Sequence, residues 1–375
     1  MGVGEGAPSG INSRIFSGDD FAVMIAWLVV LSTPPPFAMF RFLGVLLKAL
    51  PLLRVLPLSL IVALGGCVAH LMPEGPAVDA PTETPHSFVM SDGTVLHYRV
   101  WEPVGKPKVV VLALHGMNDS RDAWEFPADA FTAAGIEIIS PDQRGFGSTK
   151  QRGYWAGTAT MVSDAREMAL LVHAEHPHTR LILMGESMGG AVLMCLAASA
   201  DPPPVDGYVL VSPAVWGRAE MNVFERVGLW ALSNALPGFT ATGAIAHVKA
   251  SDNREAIERL STDPLTIHHT RFDAVAGLVN LMSAALASAP RIHEPALFLY
   301  GGKDELIPKR AMASAWRELP AGERMAYYPD GYHLMLRDIG REVPIGDIIS
   351  WIFHPSSPLP SGADRAAPAW LARQG

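Results

Sequence analysis

Leu181-Ile182-Leu183-Met184-Gly185-Glu186-Ser187-Met188-Gly189-Gly190 decides how this chain is read. The first four residues are apolar without interruption, as expected of a strand buried on both faces. Residues 185–189 follow the pattern Gly-x-Ser-x-Gly, and residues 188–200 are small and apolar over a helix length. A serine between such a strand and such a helix sits on a strained turn, where larger neighbours would clash; that accounts for Gly185 and Gly189. The bland alternative is a glycine-rich turn with no chemistry. The five-residue pattern alone is only moderately specific, and the flanking strand and helix make Ser187 the expected nucleophile.

Outward from this turn the same rhythm repeats. Apolar runs at 109–114, 136–140, 208–211 and 296–300 predict further buried strands, and residues 123–134 and 160–175 predict helices between them. Alternating strand and helix implies an α/β fold with a mostly parallel central sheet covered by helices on both faces. Ser91-Asp92-Gly93-Thr94 predicts a hairpin ahead of it. Between 213 and 290 the alternation stops, with several helix-like segments and no convincing strand, so an inserted helical cap is expected there.

A serine hydroxyl needs a base to remove its proton. In this kind of fold the acid and then the base follow the serine along the chain. The run 296–300 leads into Gly301-Gly302-Lys303-Asp304, which puts Asp304 at a strand's C-terminal end, where sites of open α/β sheets lie. His333 follows a short strand at 325–328 and is the expected general base. Asp330 is a rival acid, but three residues from His333 it reads as a turn cap with Gly331. Developing negative charge on the substrate needs preorganised N–H donors. Those of Met188 and Met117 are expected, with Gly116 permitting close approach and His115 bracing the loop. Arg144 reads as a brace more readily than as a ligand for a substrate carboxylate. His173, His176 and His178 sit where a helix ends, a position that favours cations, so the bland reading outweighs a metal site.

His115-Gly116, Asp142-Gln143-Arg144-Gly145-Phe146-Gly147-Ser148, residues 185–190, Gly302-Lys303-Asp304 and Gly331-Tyr332-His333 together resemble the α/β-hydrolase superfamily. Within it the likeness is to the monoacylglycerol lipase and lysophospholipase group, and Asp263-Pro264-Leu265 is similar to a cap segment of that group. The resemblance implies a serine carboxylic-ester hydrolase acting on a small lipid-like ester, with no metal or organic cofactor. Met117-Asn118-Asp119-Ser120 departs from the animal monoglyceride lipases. An acyltransferase or serine aminopeptidase of the same fold is the alternative reading, and a catalytically inactive binding protein is the alternative from another class.

The 375 residues carry 49% hydrophobic and 18% charged side chains and a formal charge of −8. Without a basic block, nucleic acid is not an expected partner. Cys67 and Cys195 are the two cysteines, so there is no disulfide framework to read. Part of the apolar excess lies in residues 21–64. From Met39 onward a basic segment with Arg41, Lys48 and Arg54 gives way to apolar and then small residues, ending Leu64-Gly65-Gly66-Cys67. This layout resembles a bacterial lipoprotein signal. It implies Cys67 as a lipidated N-terminus holding the enzyme at the cell envelope, with Val68 favouring the periplasmic side of the outer membrane; an uncleaved membrane anchor and a plain signal cut after Ala80 are the alternatives. The expected organisation is therefore an extension and signal at 1–66, a tether at 67–85, the hydrolase domain at 86–354 and a disordered tail at 355–375.

Overall fold

The computed structural model describes residues 71–242 and 248–374. The signal, Met39 and Cys67 lie outside the described residues. The chain enters as an antiparallel meander of β1 (Thr82–Thr84), β2 (Ser87–Val89) and β3 (Val95–Trp101). Strand and helix then alternate: β4 (Val109–Leu114), α1 (Glu125–Ala133), β5 (Ile136–Pro141), α2 (Thr158–Glu175), β6 (Arg180–Glu186), α3 (Met188–Ala197) and β7 (Gly207–Val211). An intervening segment carries α4 (Val223–Ala235), β8 (Thr240–Ala241), α5 (Arg254–Thr262), β9 (Thr270–Arg271) and α6 (Phe272–Ser288). The chain finishes with β10 (Ala296–Gly301), α7 (Lys309–Glu318), β11 (Arg324–Tyr328), α8 (Glu342–Phe353) and α9 (Ala363–Ala372).

The main sheet runs β1-β2-β3-β5-β4-β6-β7-β10-β11. Its strands from β5 to β11 are mutually parallel, and only the leading meander is antiparallel. Alternate residues of one strand feed two separate cores. Val110, Leu112 and Leu114 pack with α2, α3, α6 and α7, while Val109, Val111 and Ala113 pack with α1 and α8. Both faces being covered is why these strands read as unbroken apolar runs. Each Leu or Val so buried contributes about 1.5–3 kcal/mol. The register sets where the loops emerge. Leu114 pairs with Gly185, Glu186 with Val211, and Gly301 with Tyr328, so the loops after β4, β6, β7, β10 and β11 open at one edge.

The inserted segment is not all helix and not all separate from the body. β8 and β9 form a two-stranded antiparallel ribbon too short to leave an alternating pattern. Helix α6 packs directly on α3, and a Cβ added at Gly277 would lie 2.4 Å from the Trp155 ring. Of the large apolar side chains in this segment, Trp216, Leu229, Phe272 and Leu281 are buried, whereas Phe224, Trp230 and Phe239 are exposed.

Two expectations fail. The described part of the tether, from Leu71, is laid along the domain. Leu71 bridges Trp155, the N–H of Glu74 donates to Thr160 Oγ1 at 3.1 Å, and that of Val78 donates to Ser91 O at 2.8 Å. Its prolines keep it extended, and its backbone donors find partners on the surface. The tail is not disordered either. Ala363, Ala367 and Trp370 recur at helical spacing on one side of α9, and Pro368 inside the helix masks the pattern. Trp370 stacks on Tyr327 at 5.0 Å and meets Trp316 edge-on at 5.0 Å, so α9 covers the edge strand β11. Arg324 pairs with Asp364 at 2.9 Å to fix the helix start.

Trp370→Ala is expected to destabilise the domain by about 3–5 kcal/mol, read as a lower urea midpoint. An unchanged midpoint would mean that α9 contributes nothing to the fold.

Candidate active site

β6 delivers Ser187 at its C-terminal end with φ 53° and ψ −113°, a conformation L-residues avoid. Close neighbours hold it there. Its N–H donates to Val211 O at 2.9 Å, and its carbonyl accepts from Ala191 N at 3.0 Å and Ala214 N at 2.9 Å. A Cβ at Gly185 would stand 2.5 Å from the Gly189 carbonyl carbon, and one at Gly189 would stand 2.3 Å from Leu114 O. Both glycines are therefore dictated by the closeness of β4, β6 and α3. Met188 is the first residue of α3, whose first-turn N–H groups have no partner within the helix.

The loop after β4 lies against this turn: a Cβ on Gly116 would be 3.4 Å from Ser187 Cβ. His115 is fully buried and not a base. Its Nε2 accepts the Gln143 N–H at 3.0 Å, which leaves Nδ1 to donate to Gly116 O at 2.7 Å. Burial holds its pKa below the ordinary histidine value, so the ring is neutral and bridges two loops. Phe146 sets its ring edge-on to His115 at 5.7 Å and to Trp155 at 6.5 Å. Met117, half-buried, follows Gly116 in the same loop. Asn118 takes φ 66° and binds Thr270 Oγ1 through Nδ2 at 2.6 Å, tying the loop to β9.

Asp304 and His333 come together because the loops after β10 and β11 cross. The N–H of Gly302 donates to Tyr328 O at 2.7 Å, that of Lys303 donates to Gly331 O at 2.9 Å, and a Cβ at Gly301 would be 2.3 Å from Gly331 O. The result is His333 Nδ1 donating to Asp304 Oδ2 at 2.8 Å, with both side chains buried. Asp304 Oδ1 accepts from the N–H groups of Leu306 (2.8 Å) and Ile307 (2.9 Å), so the carboxylate cannot swing away. With Nδ1 engaged as donor, Nε2 is the ring's free acceptor. Burial disfavours the imidazolium, but the Asp304 carboxylate outweighs it and raises the pKa above 6.5. Asp330 pairs with Lys303 at 2.7 Å and is almost fully exposed, and the His333 ring bonds to Asp304 instead. Arg144 is a brace, with bonds to Asp92 and Asp164 on opposite sides. Among the described residues, His, Cys, Asp and Glu form no group able to hold a metal ion.

Three buried side chains near the site have no counterpart among the residues expected from sequence. Arg337, four residues after His333, donates through one nitrogen to Asp119 at 2.5 Å and to Glu186 at 2.9 Å. The available signals were a single arginine closing the apolar run Leu334-Met335-Leu336 and an acid directly before the serine.

A serine on a strained strand-to-helix turn and a His–Asp pair at the ends of neighbouring parallel strands define a serine hydrolase of the α/β-hydrolase fold. The chain belongs to the serine aminopeptidase S33 family, which matches residues 105–340, more than half its length. It is a lipase-like ester hydrolase, similar to the monoacylglycerol lipase of Mycolicibacterium smegmatis (26% identity over 72% of this chain and 97% of that one). It is also similar to the monoglyceride lipase of Rattus norvegicus (25% over 74% and 96%). In fold it is similar to a soluble variant of monoglyceride lipase from Saccharomyces cerevisiae bound to a substrate analogue (TM-score 0.61, 18% identity, 74% of this chain and 98% of that one). A carboxyl esterase from Bacillus coagulans is likewise similar (TM-score 0.58, 18%, 74% and 99%).

Asp304→Asn should lower hydrolysis of a p-nitrophenyl ester by about three orders of magnitude or more, by upsetting the His333 tautomer. Asp330→Asn should change it less than about threefold, the scale of a surface charge. Reversed effects would move the acid to Asp330.

Proposed function

We propose that this protein hydrolyses carboxylic esters of lipid-like alcohols through an acyl-enzyme, with monoacylglycerol as the preferred substrate class. The observation that carries the reading is the His333–Asp304 bond at 2.8 Å, set at the same sheet edge as the strained Ser187 turn. His333 Nε2 takes the proton of Ser187 Oγ as the oxygen attacks the ester carbonyl. The backbone N–H groups of Met188 and Met117 hold the oxyanion. The protonated ring then gives its proton to the departing alcohol, leaving the acyl group on Ser187. A water, deprotonated by His333 in turn, releases the acid and restores the hydroxyl.

The choice of lipid-like ester rests on the monoacylglycerol lipase relatives and on the inserted segment. Its apolar residues are numerous and its cations scattered, and each acyl CH₂ withdrawn from water is worth about 0.8 kcal/mol. An aminopeptidase would need free acids to hold a substrate amine, and several candidates already have structural partners. Glu225 closes the capping box of α4 with Asn222, Asp252 accepts the Ile339 N–H at 2.8 Å, and Glu220 accepts from Ser314 at 3.2 Å.

The same proposal puts the enzyme on a membrane through a lipid on Cys67, at the periplasmic side of the outer membrane. Beyond the signal itself, α4 presents Val223, Phe224, Val227 and Trp230 to solvent, an apolar face suited to work beside lipid.

Ser187→Ala and His333→Ala should each lower hydrolysis by about three orders of magnitude or more while circular dichroism stays unchanged. A fluorophosphonate should label Ser187 in the wild type only. Since the base must be neutral, kcat/KM should fall as pH drops through the raised His333 pKa, with its acid limb above the ordinary histidine value of 6.5. Activity should rise from acetyl to medium-chain esters, with monoacylglycerol cleaved better than lysophospholipid. A profile flat beyond butyryl would remove the lipid assignment and leave a small-ester hydrolase. Mass spectrometry of the membrane-extracted protein should find a diacylglycerol-modified peptide beginning at Cys67; a different mature N-terminus would sink the anchor.

A further inference from the structure

Asp119, Glu186 and Arg337 form a buried ionic hub that none of the hydrolytic steps uses. Each of the three is less than a tenth exposed. One nitrogen of Arg337 donates to Asp119 Oδ2 at 2.5 Å and to Glu186 Oε2 at 2.9 Å. Stability alone is a poor reason for it. Burying three charges costs several kcal/mol per ion in desolvation, and well-packed apolar side chains in place of such a triad are often as stable or more so. Arg337 Nε is moreover buried without a partner, a further cost.

Where the three residues sit along the chain is the informative part. Glu186 directly precedes Ser187. Asp119 is two residues beyond Met117 in the loop carrying the second oxyanion donor, and its Oδ1 accepts the Ser120 N–H at 2.8 Å. Arg337 lies one turn beyond His333, and its carbonyl accepts from Asn253 Nδ2 at 2.9 Å, the residue that caps α5. The hub thus joins the three loops that supply nucleophile, oxyanion donor and base, which share no continuous secondary structure. We propose that Arg337 is a positioning residue for this site, clamping the three loops in register, and that the carboxylate of Glu186 supports the imidazolium formed on His333 during each turnover.

The charges facing the ring give the second half of the proposal its sign. His333 is faced by Asp304 from the β10 loop, Glu186 from the end of β6 and Arg337 from its own loop; Asp304 and Glu186 favour its charged form and Arg337 opposes it. Arg337 in turn faces Asp119 from the β4 loop, and the neutral His115 adjoins both. The adjacent Asp338 is taken up by Ser251 at 2.6 Å and by the Tyr332 N–H at 2.8 Å. Burial pushes the Glu186 carboxyl above its ordinary value while Arg337 opposes that, and with both carboxylates ionised the hub carries a net charge of −1. Interaction with a developing cation is strong in a site shielded from water.

The inference rests on the serine-hydrolase reading, and the test separates the two. Glu186→Gln keeps the shape and an acceptor for Arg337 but removes the charge. In full-length protein it should lower kcat about tenfold or more with KM changed less than about twofold, and shift the acid limb of kcat/KM to lower pH. Asp119→Asn leaves Glu186 in place; it should lower kcat similarly through the loosened oxyanion loop but move the limb less. Arg337→Met should be worse than either, and Arg337→Lys should recover part of the loss. A folded Glu186→Gln protein with wild-type kcat and an unmoved limb would overturn the inference, as would a loss confined to KM or to the thermal midpoint. Should Glu186→Gln fail to fold, an Asp119→Asn protein with wild-type kcat overturns it equally. If the wild type takes no fluorophosphonate label on Ser187, the hydrolase reading fails first and this one with it. A labelled wild type with unaffected variants removes this inference alone.

Discussion

At Ser187 the backbone must leave β6 and enter α3 within one residue, and the strained φ of 53° is what that requires. A residue held in such a region costs on the order of 1–3 kcal/mol, so the surroundings must over-determine it. They do so through β7, whose Val211 carbonyl receives the Ser187 N–H, and through Ala191 and Ala214, which donate to its carbonyl. They also do so through β4, whose Leu114 carbonyl is so near that only glycine fits at 189. The parallel register of β4, β6 and β7 is therefore the condition for the turn. The turn, in turn, fixes where the other loops must arrive.

Those loops are held by two kinds of force. Near the sheet the links are neutral: the His115 ring joins Gly116 to Gln143, and Phe146 and Trp155 continue the contact to the glycine face of α6. Burial keeps that ring uncharged, so it links the loops without adding a charge beside His333. The other links are ionic. Arg144 is gripped by Asp92 and Asp164, which secures the Gly-Phe-Gly turn, and Arg337 joins the loops of β4, β6 and β11. Ion pairs of this kind contribute more to geometry than to stability, because desolvation offsets most of the attraction.

The periphery shows the hydrophobic effect settling what local sequence leaves open. Edge strand β11 would expose unpaired backbone and the Tyr327 ring without α9 beside it. Trp370 joins Tyr300, Trp316 and Tyr327 in one aromatic cluster. In α4 the balance runs the other way, since Leu229 is buried while Phe224 and Trp230 on the same helix face water.

The places of Ser187, Asp304 and His333 beyond the C-terminal ends of their strands were legible because each leaves a local mark: glycines on either side of a serine, or a polar residue just after an apolar run. The alternation of those runs with helices likewise spelled out the parallel sheet, since strands buried on both faces cannot hide their composition. Local signals also misled, as at residues 355–375, where proline outweighed the spacing of Ala363, Ala367 and Trp370. What the sequence could not determine is what depends on partners distant along the chain. The bond between Asp304 and His333 is made by two loops crossing at Gly301 and Gly331, and the partner that His115 braces against, Gln143, lies 28 residues away. The Asp119–Arg337–Glu186 hub, spanning 218 residues at its widest, has no local pattern at all. Buried charges are placed by the other charges that meet them in space, and only the folded chain decides which those are.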